Sequence, residues 1–153
     1  VDVLSFVKEV ALTVEPKVSG KNIEFIRRFD TAVGRFEIDP GVVRSALINI
    51  LENAVEACLE EKTQKNHRII FSARSEGGDI RFDVTDDGIG IDRETREKMF
   101  TLFFSSKGHM GTGLGLFISY RIIHQHGGSI EVTSTPGQGS HFCIRMRKKR
   151  PAS

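Results

Sequence analysis

Three short stretches of this 153-residue chain carry residue types that an ordinary core or surface does not ask for. The first is a pair of asparagines, Asn49 and Asn53, four residues apart in a segment of helical periodicity. Glu56 follows one turn later on the same side. Asparagine is a poor helix former, and two on one face cost stability unless their carboxamides are used. A carboxamide oxygen is a hard ligand, suited to Mg²⁺ beside phosphate oxygens and water. The alternative is a solvated polar face. The second stretch is Asp86-Asp87-Gly88-Ile89-Gly90, directly after a predicted strand. Its glycines permit a tight bend and close approach of a flat ligand to the backbone. A carboxylate there only accepts hydrogen bonds, and an exocyclic amine such as that of adenine would supply one. A plain turn is one alternative. A calcium loop is another, because Asp83, Thr85, Asp87, Gly88 and Glu94 fall at the spacing of its ligands and turn glycine. A hairpin rather than a helix precedes Asp83, and Gly90 stands where that motif has a hydrophobe, so calcium is disfavoured. The third stretch is Gly111-Thr112-Gly113-Leu114-Gly115-Leu116, a loop running straight into a helix. Free N–H groups at a helix start and glycine backbones able to wrap an anion would cradle phosphate. It is neither a Walker loop, which needs a lysine and a hydroxyl after its last glycine, nor the Rossmann spacing.

The elements that must position these stretches follow from periodicity. Val3, Phe6, Val7, Val10 and Ala11 recur at helical spacing, with Asp2 as a cap and Pro16 near the end. Residues 23–29 alternate as a strand, and a second extended piece is predicted over Arg35 to Ile38. Asp39-Pro40 opens a helix reaching about Glu61, whose apolar stripe includes Val43, Leu47, Ile50, Ala54 and Cys58. A hairpin follows, Arg68 to Arg74 and Ile80 to Thr85, turning at Gly77 and Gly78. A short helix is predicted over residues 92–100, a mobile glycine-rich loop over 105–115, and a helix over 116–125 ended by Gly127 and Gly128. A final hairpin joins residues 129–134 to 140–147. Segregated hairpins and helices predict an α+β two-layer sandwich, a mixed and mostly antiparallel sheet packed on helices.

Composition narrows the function classes. Hydrophobic residues make up 39% and charged residues 27%, values that allow a core and argue against disorder. Twenty-two basic side chains against twenty acidic ones leave +2, too balanced to make nucleic acid the expected partner. No stretch approaches a membrane span of roughly 18 apolar residues, so no direct membrane contact is expected. Asp2, Lys8 and Glu9 break the pattern of a signal peptide. Cys58 and Cys143 make no disulfide framework, and a reducing, cytoplasmic setting fits best. Residues 1–153 read as a single domain without repeat or linker.

The order of the motifs carries more than each alone. The chain resembles the catalytic ATP-binding domain of two-component sensor histidine kinases, within the GHKL (Bergerat-fold) ATPase superfamily. Asn49-Ile50-Leu51-Glu52-Asn53-Ala54 matches its N box, and Asp86 to Gly90 its first glycine box. Phe100 with Phe103-Phe104 matches the phenylalanine box, and Gly111 to Leu116 the second glycine box. The resemblance covers roughly residues 20 to 147 and implies ATP and Mg²⁺ as ligands. It implies that Asn53 coordinates the metal and Asn49 supports metal or phosphate. Asp86 would accept from the adenine amine, with Gly88 and Gly90 shaping the pocket and Ser140 beside it. Gly111, Thr112, Gly113, Leu114 and Gly115 would meet the phosphates, under a lid from about Ser105 to Met110. Glu56, Ala57 and Ser105 stand where many members carry a lysine, an aromatic and a basic residue. Lys107 is therefore the candidate cation for the γ-phosphate, and the departure resembles the nitrogen-regulation subtype.

The resemblance implies transfer of the γ-phosphoryl group to a histidine. None of His67, His109, His124, His126 or His141 has the acidic and basic neighbours of an acceptor, and His126 reads as structural. The expected partners are therefore a histidine-bearing dimerisation domain, absent from these residues, and a downstream response regulator. The piece itself is expected to be monomeric, and a tether of the full-length protein to the inner membrane stays open. Two alternatives remain. One is a GHKL-type ATPase, which would need a glutamate where Asn49 stands. The other is a nucleotide-gated partner-binding module or anti-sigma-like serine kinase, which generally lacks the phenylalanine box.

Overall fold

The computed structural model describes residues 1–63, 66–98 and 114–149, with the side chains of residues 95, 96, 98, 114 and 115 left aside. Helix α1 (Val3–Val18) starts on Asp2, whose carboxylate accepts from the Ser5 N–H at 3.0 Å and the Ser5 hydroxyl at 2.8 Å. Pro16 lies in its last turn, near the end as expected. The missing N–H strands the carbonyl of Leu12, and Leu12 is 59% exposed, so water can serve that group. Strand β1 (Ile23–Phe29) then leads to helix α2 (Pro40–Glu60), which begins with Asp39 as cap and proline at the first turn. The piece over Arg35 to Ile38 is not a strand. Only an isolated bridge joins Arg35 to Asp2, because Val33 and Phe36 turn inward and are buried. Backbone bonds from Phe36 N–H to Val1 and from Glu37 N–H to Lys148 occupy this stretch instead.

Strands β2 (His67–Glu76) and β3 (Asp79–Asp86) form the first hairpin, and helix α3 (Arg93–Lys98) follows. Helix α4 (Leu114–Gln125) precedes strands β4 (Ser129–Thr135) and β5 (Gly139–Arg147). The five strands of the described residues stand in the order β1-β2-β3-β5-β4. Among the described residues only β1 and β2 run parallel, and α2 is the crossover that a parallel pair requires. The other three pairs are antiparallel, as expected for a mixed, mostly antiparallel sheet.

Strand alternation divides the sheet into two unlike faces. Ile69, Phe71 and Ala73 of β2, Ile80, Phe82 and Val84 of β3, and Phe142, Ile144 and Met146 of β5 are buried and join the helices in one hydrophobic cluster. Phe36 bridges the layers, 5.5 Å from the Phe6 ring and 6.0 Å from the Phe82 ring. On the opposite face, Arg81, Asp83 and His141 are only partly buried. Among the described residues, no helix is long and apolar enough to cross a membrane.

Candidate functional site

Asp86 is the last residue of β3, and its register places it on the helix-covered face with Phe82 and Val84. It is 5% exposed. The Gly88 N–H donates to its Oδ1 at 2.9 Å, and the Ser140 N–H also donates to it. Burial nevertheless dominates and pushes the carboxyl up to about 6, with the Asp87 charge adding to the rise. At neutral pH the group remains an ionised acceptor held in a nearly dry position.

The glycines around it are required by the protein's own backbone. A Cβ at Gly88 would lie 2.5 Å from the carbonyl carbon of Ala57, and one at Gly90 would lie 2.2 Å from the Thr135 oxygen. Gly90 also sits at φ +73°, in the left-handed region. The close approach inferred from sequence thus presses this loop onto α2 on one side and onto the β4–β5 turn on the other. The Ile89 N–H donates to the Ala57 carbonyl at 3.1 Å, and the Gly137 N–H donates to Ile89 at 2.6 Å.

This contact sets the loop beside the asparagines. Asn49, Asn53 and Ala57 repeat every four residues, so they share the side of α2 that Gly88 abuts. Both asparagines are half-buried flanks of the apolar stripe. Asn53 Nδ2 donates to the Asn49 carbonyl at 2.7 Å, which fixes the amide and leaves its oxygen as the atom that could meet a cation. Glu52 pairs with Lys17 of α1 instead of facing the site.

Ser140 pairs with Asp86 across β3 and β5 and is buried. Its hydroxyl lies 2.9 Å from that of Ser134. Ser134 gives its hydrogen to the Gly139 carbonyl at 2.9 Å and accepts from the Ile91 N–H at 2.7 Å, so Ser140 is the donor between them. Ser134 was not visible as a site residue in the sequence, because only strand pairing brings it to Ser140. Asp87 stood in the glycine motif, but its partners at the start of β2 were not legible there. It binds the Arg68 N–H at 2.9 Å and His67 Nδ1 at 3.1 Å, fastening the start of β2.

Leu114 and Gly115 open α4, which packs on α2 through the Ser119 hydroxyl at 3.2 Å from the Ala46 carbonyl. Phe100, Phe103, Phe104, Lys107, Gly111, Thr112 and Gly113 lie outside the described residues. His126 donates from Nδ1 to Ile122 at 2.8 Å and accepts the Asp39 N–H on Nε2 at 3.3 Å, so both ring nitrogens serve helix ends. Asp83, first in the calcium spacing, lies within β3 and binds Arg81 and His141 on the open face. A groove of about 1150 Å³, lined by Phe25, His67, Asp87 and Gln138 among others, reaches this site at Asp86 and is not bordered by either asparagine.

Residues 38–150 match the family model described as histidine kinase-, DNA gyrase B-, and HSP90-like ATPase. Sensor histidine kinase ZraS of Escherichia coli is 30% identical over 145 residues, covering 94% of this chain and 30% of the relative. Nitrogen regulation protein NtrY of Azorhizobium caulinodans is 34% identical over 116 residues, covering 74% of this chain and 15% of the relative. The chain therefore spans less than a third of the length of both. The nucleotide-free catalytic domain of histidine kinase ThkA is 31% identical with a TM-score of 0.83, covering 98% of this chain and 95% of that one. ThkA has also been solved in complex with response regulator protein TrrA.

Proposed function

This chain belongs to the histidine kinase-, DNA gyrase B-, and HSP90-like ATPase family, and from that premise we propose that it binds Mg-ATP and passes the γ-phosphoryl group to a histidine on a separate dimerisation domain. One observation carries the reading: a buried carboxylate, Asp86, ends β3 in a loop pressed by Gly88 against the face of α2 that bears Asn49 and Asn53. That pairing offers an acceptor for an adenine amine and hard oxygen ligands on one surface.

The residues fit the ligands they would hold. Asp86 is ionised above about pH 6, and its Gly88 and Ser140 N–H contacts hold the carboxylate in place for a purine amine. Asn53, with its nitrogen committed to the Asn49 carbonyl, presents oxygen toward a hard cation. Bound Mg²⁺ supplies neutralisation of phosphate charge, the main requirement of phosphoryl transfer. Leu114 and Gly115 at the start of α4 would offer backbone N–H groups to phosphate, together with Gly111, Thr112 and Gly113. Lys107 is the candidate for residual charge on the γ-phosphoryl group. In the transfer itself, the bond from the β–γ bridging oxygen breaks as an imidazole nitrogen of the acceptor bonds to phosphorus, and ADP leaves.

Residues 1–153 act in this proposal as one ATP-binding unit, with the acceptor histidine and the response regulator contributed elsewhere. Similarity to NtrY supports the nitrogen-regulation-type pattern suggested by Glu56, Ala57 and Ser105. Rapid hydrolysis is disfavoured, since Asn49 occupies the position of the water-activating glutamate and Glu52 is engaged by Lys17. Calorimetric titration of Mg-ATP into the wild type and Asp86→Asn tests the assignment. The wild type binds, and the variant loses at least about tenfold in affinity, the cost of a charged hydrogen bond. Equal affinities would remove Asp86 from the site.

A further inference from the structure

Beyond the groups assigned to the nucleotide, three elements bring together a thiol, an imidazole and a carboxylate. Cys58 comes from the last turns of α2, His67 opens β2, and Asp87 follows β3. One ligating atom from each lies within 4.8 Å of the other two. His67 Nδ1 is 3.1 Å and Cys58 Sγ 4.0 Å from the same Asp87 oxygen. Cys58 and His67 are buried and Asp87 is half-buried. The backbones that carry them are already fixed, by Arg68 N–H to Asp87 at 2.9 Å and Ile89 N–H to Ala57 at 3.1 Å. The His67 ring makes its polar contact into this cluster, and its Nε2 is buried with no hydrogen-bond partner among the described residues.

We propose that Cys58, His67 and Asp87 form a binding site for a divalent cation of the Zn²⁺ class. Thiolate, imidazole and carboxylate are the ligand types such an ion takes, and sulfur and nitrogen select it over Mg²⁺. The charges close: a doubly charged cation on one thiolate and one carboxylate makes a neutral set, the form in which charge is tolerated under burial. Binding expels the thiol proton to solvent, moves the imidazole hydrogen to Nε2, and changes no oxidation state. Burial and the charges of Asp86 and Asp87 push the Cys58 thiol up to about 12. The thiol is therefore protonated at neutral pH, and the carboxylates that resist a thiolate attract a cation. Asp87 borders the large groove, which gives the ion an entry path and water a fourth coordination position. The proposal is independent of the nucleotide reading, since none of the three proposed ligands is among the residues assigned to ATP.

Titration of the whole chain with Co²⁺ in excess Mg²⁺ tests the site, followed by the thiolate-to-cobalt absorption band and by calorimetry in two buffers of different ionisation enthalpy. One Co²⁺ per chain, a thiolate band displaced by Zn²⁺, and release of about one proton are the expected results. Cys58→Ser should lose the band, His67→Gln should bind at least about tenfold more weakly, and Cys143→Ser should behave as wild type. Thermal unfolding of each variant identifies those that fold, and His67→Gln decides if Cys58→Ser does not. No thiolate band in the wild type, one that survives in Cys58→Ser, unchanged affinity in a folded His67→Gln, or one lost in Cys143→Ser overturns the proposal.

Discussion

The two faces of the sheet use the same strands for opposite purposes. Phe82 and Asp83 are neighbours in β3, yet one is fully buried under the helices and the other lies on the open face between Arg81 and His141. The covered face gains its stability from dispersion and apolar burial, the open face from partly screened ion pairs. Asp86 breaks the rule, because it is a carboxylate on the covered face. A buried charge is one that packing alone would not select, and the proposed function gives this one a ligand to recognise.

Substitution should separate the faces most sharply at those neighbours. Phe82→Ala is expected to cost about 3–5 kcal/mol in denaturant unfolding, through lost transfer energy and the cavity left behind. Asp83→Asn should stay within about 1 kcal/mol. Similar losses at both positions would break the distinction. Glycines provide the next contrast. Gly88→Ala forces a Cβ against the Ala57 backbone and should cost about 1–3 kcal/mol, whereas a Cβ at Gly78 meets nothing within 4 Å. Unfolding midpoints that fail to distinguish Gly88→Ala from Gly78→Ala would show that α2 does not clamp the loop.

The carboxylates of the two faces also titrate in opposite senses. Asp86 is raised in the folded state, so its contribution to stability is present below about pH 4 and lost as pH rises through about 6. Asp83 is lowered despite burial that opposes the shift, through hydrogen bonds from His141 and Arg81. Its contribution is present above the ordinary aspartate range and lost as pH falls through its lowered value. If nucleotide binding uses ionised Asp86, affinity for Mg-ATP should fall about tenfold from pH 7.5 to pH 5, a dependence that calorimetry at both pH values measures. A flat profile would place the acceptor elsewhere. The smallest effect is expected at Asn49→Glu, with Mg-ATP affinity within a few-fold of wild type and phosphate release increased in a steady-state assay. A large loss of affinity would make Asn49 a primary ligand.

Much of this architecture was legible in the chain because its signals are local. Periodicity marked α1, α2 and both hairpins, and Asp2 and Asp39 announced their helices as caps. The Asn49 and Asn53 pair and the Asp86 loop stood out because they defy local preference, the usual trace of a site. Local signals also misled. Arg35 to Ile38 read as a second extended piece, but Val33 and Phe36 were drawn into the core and an isolated bridge joins Arg35 to Asp2. Pro16, by contrast, read correctly as lying near the end of α1, which stops two residues later at Val18.

By itself, then, the sequence determined the elements, the covered and open sides of each strand, and the family whose ordered motifs it carries. Those are properties of spacing along one chain. Tertiary structure decided that Gly88 and Gly90 make room for backbone, that Ser134 supports Ser140, and that Cys58, His67 and Asp87 converge. Each of these depends on segments far apart in sequence meeting at a few ångströms, and no local preference records that distance.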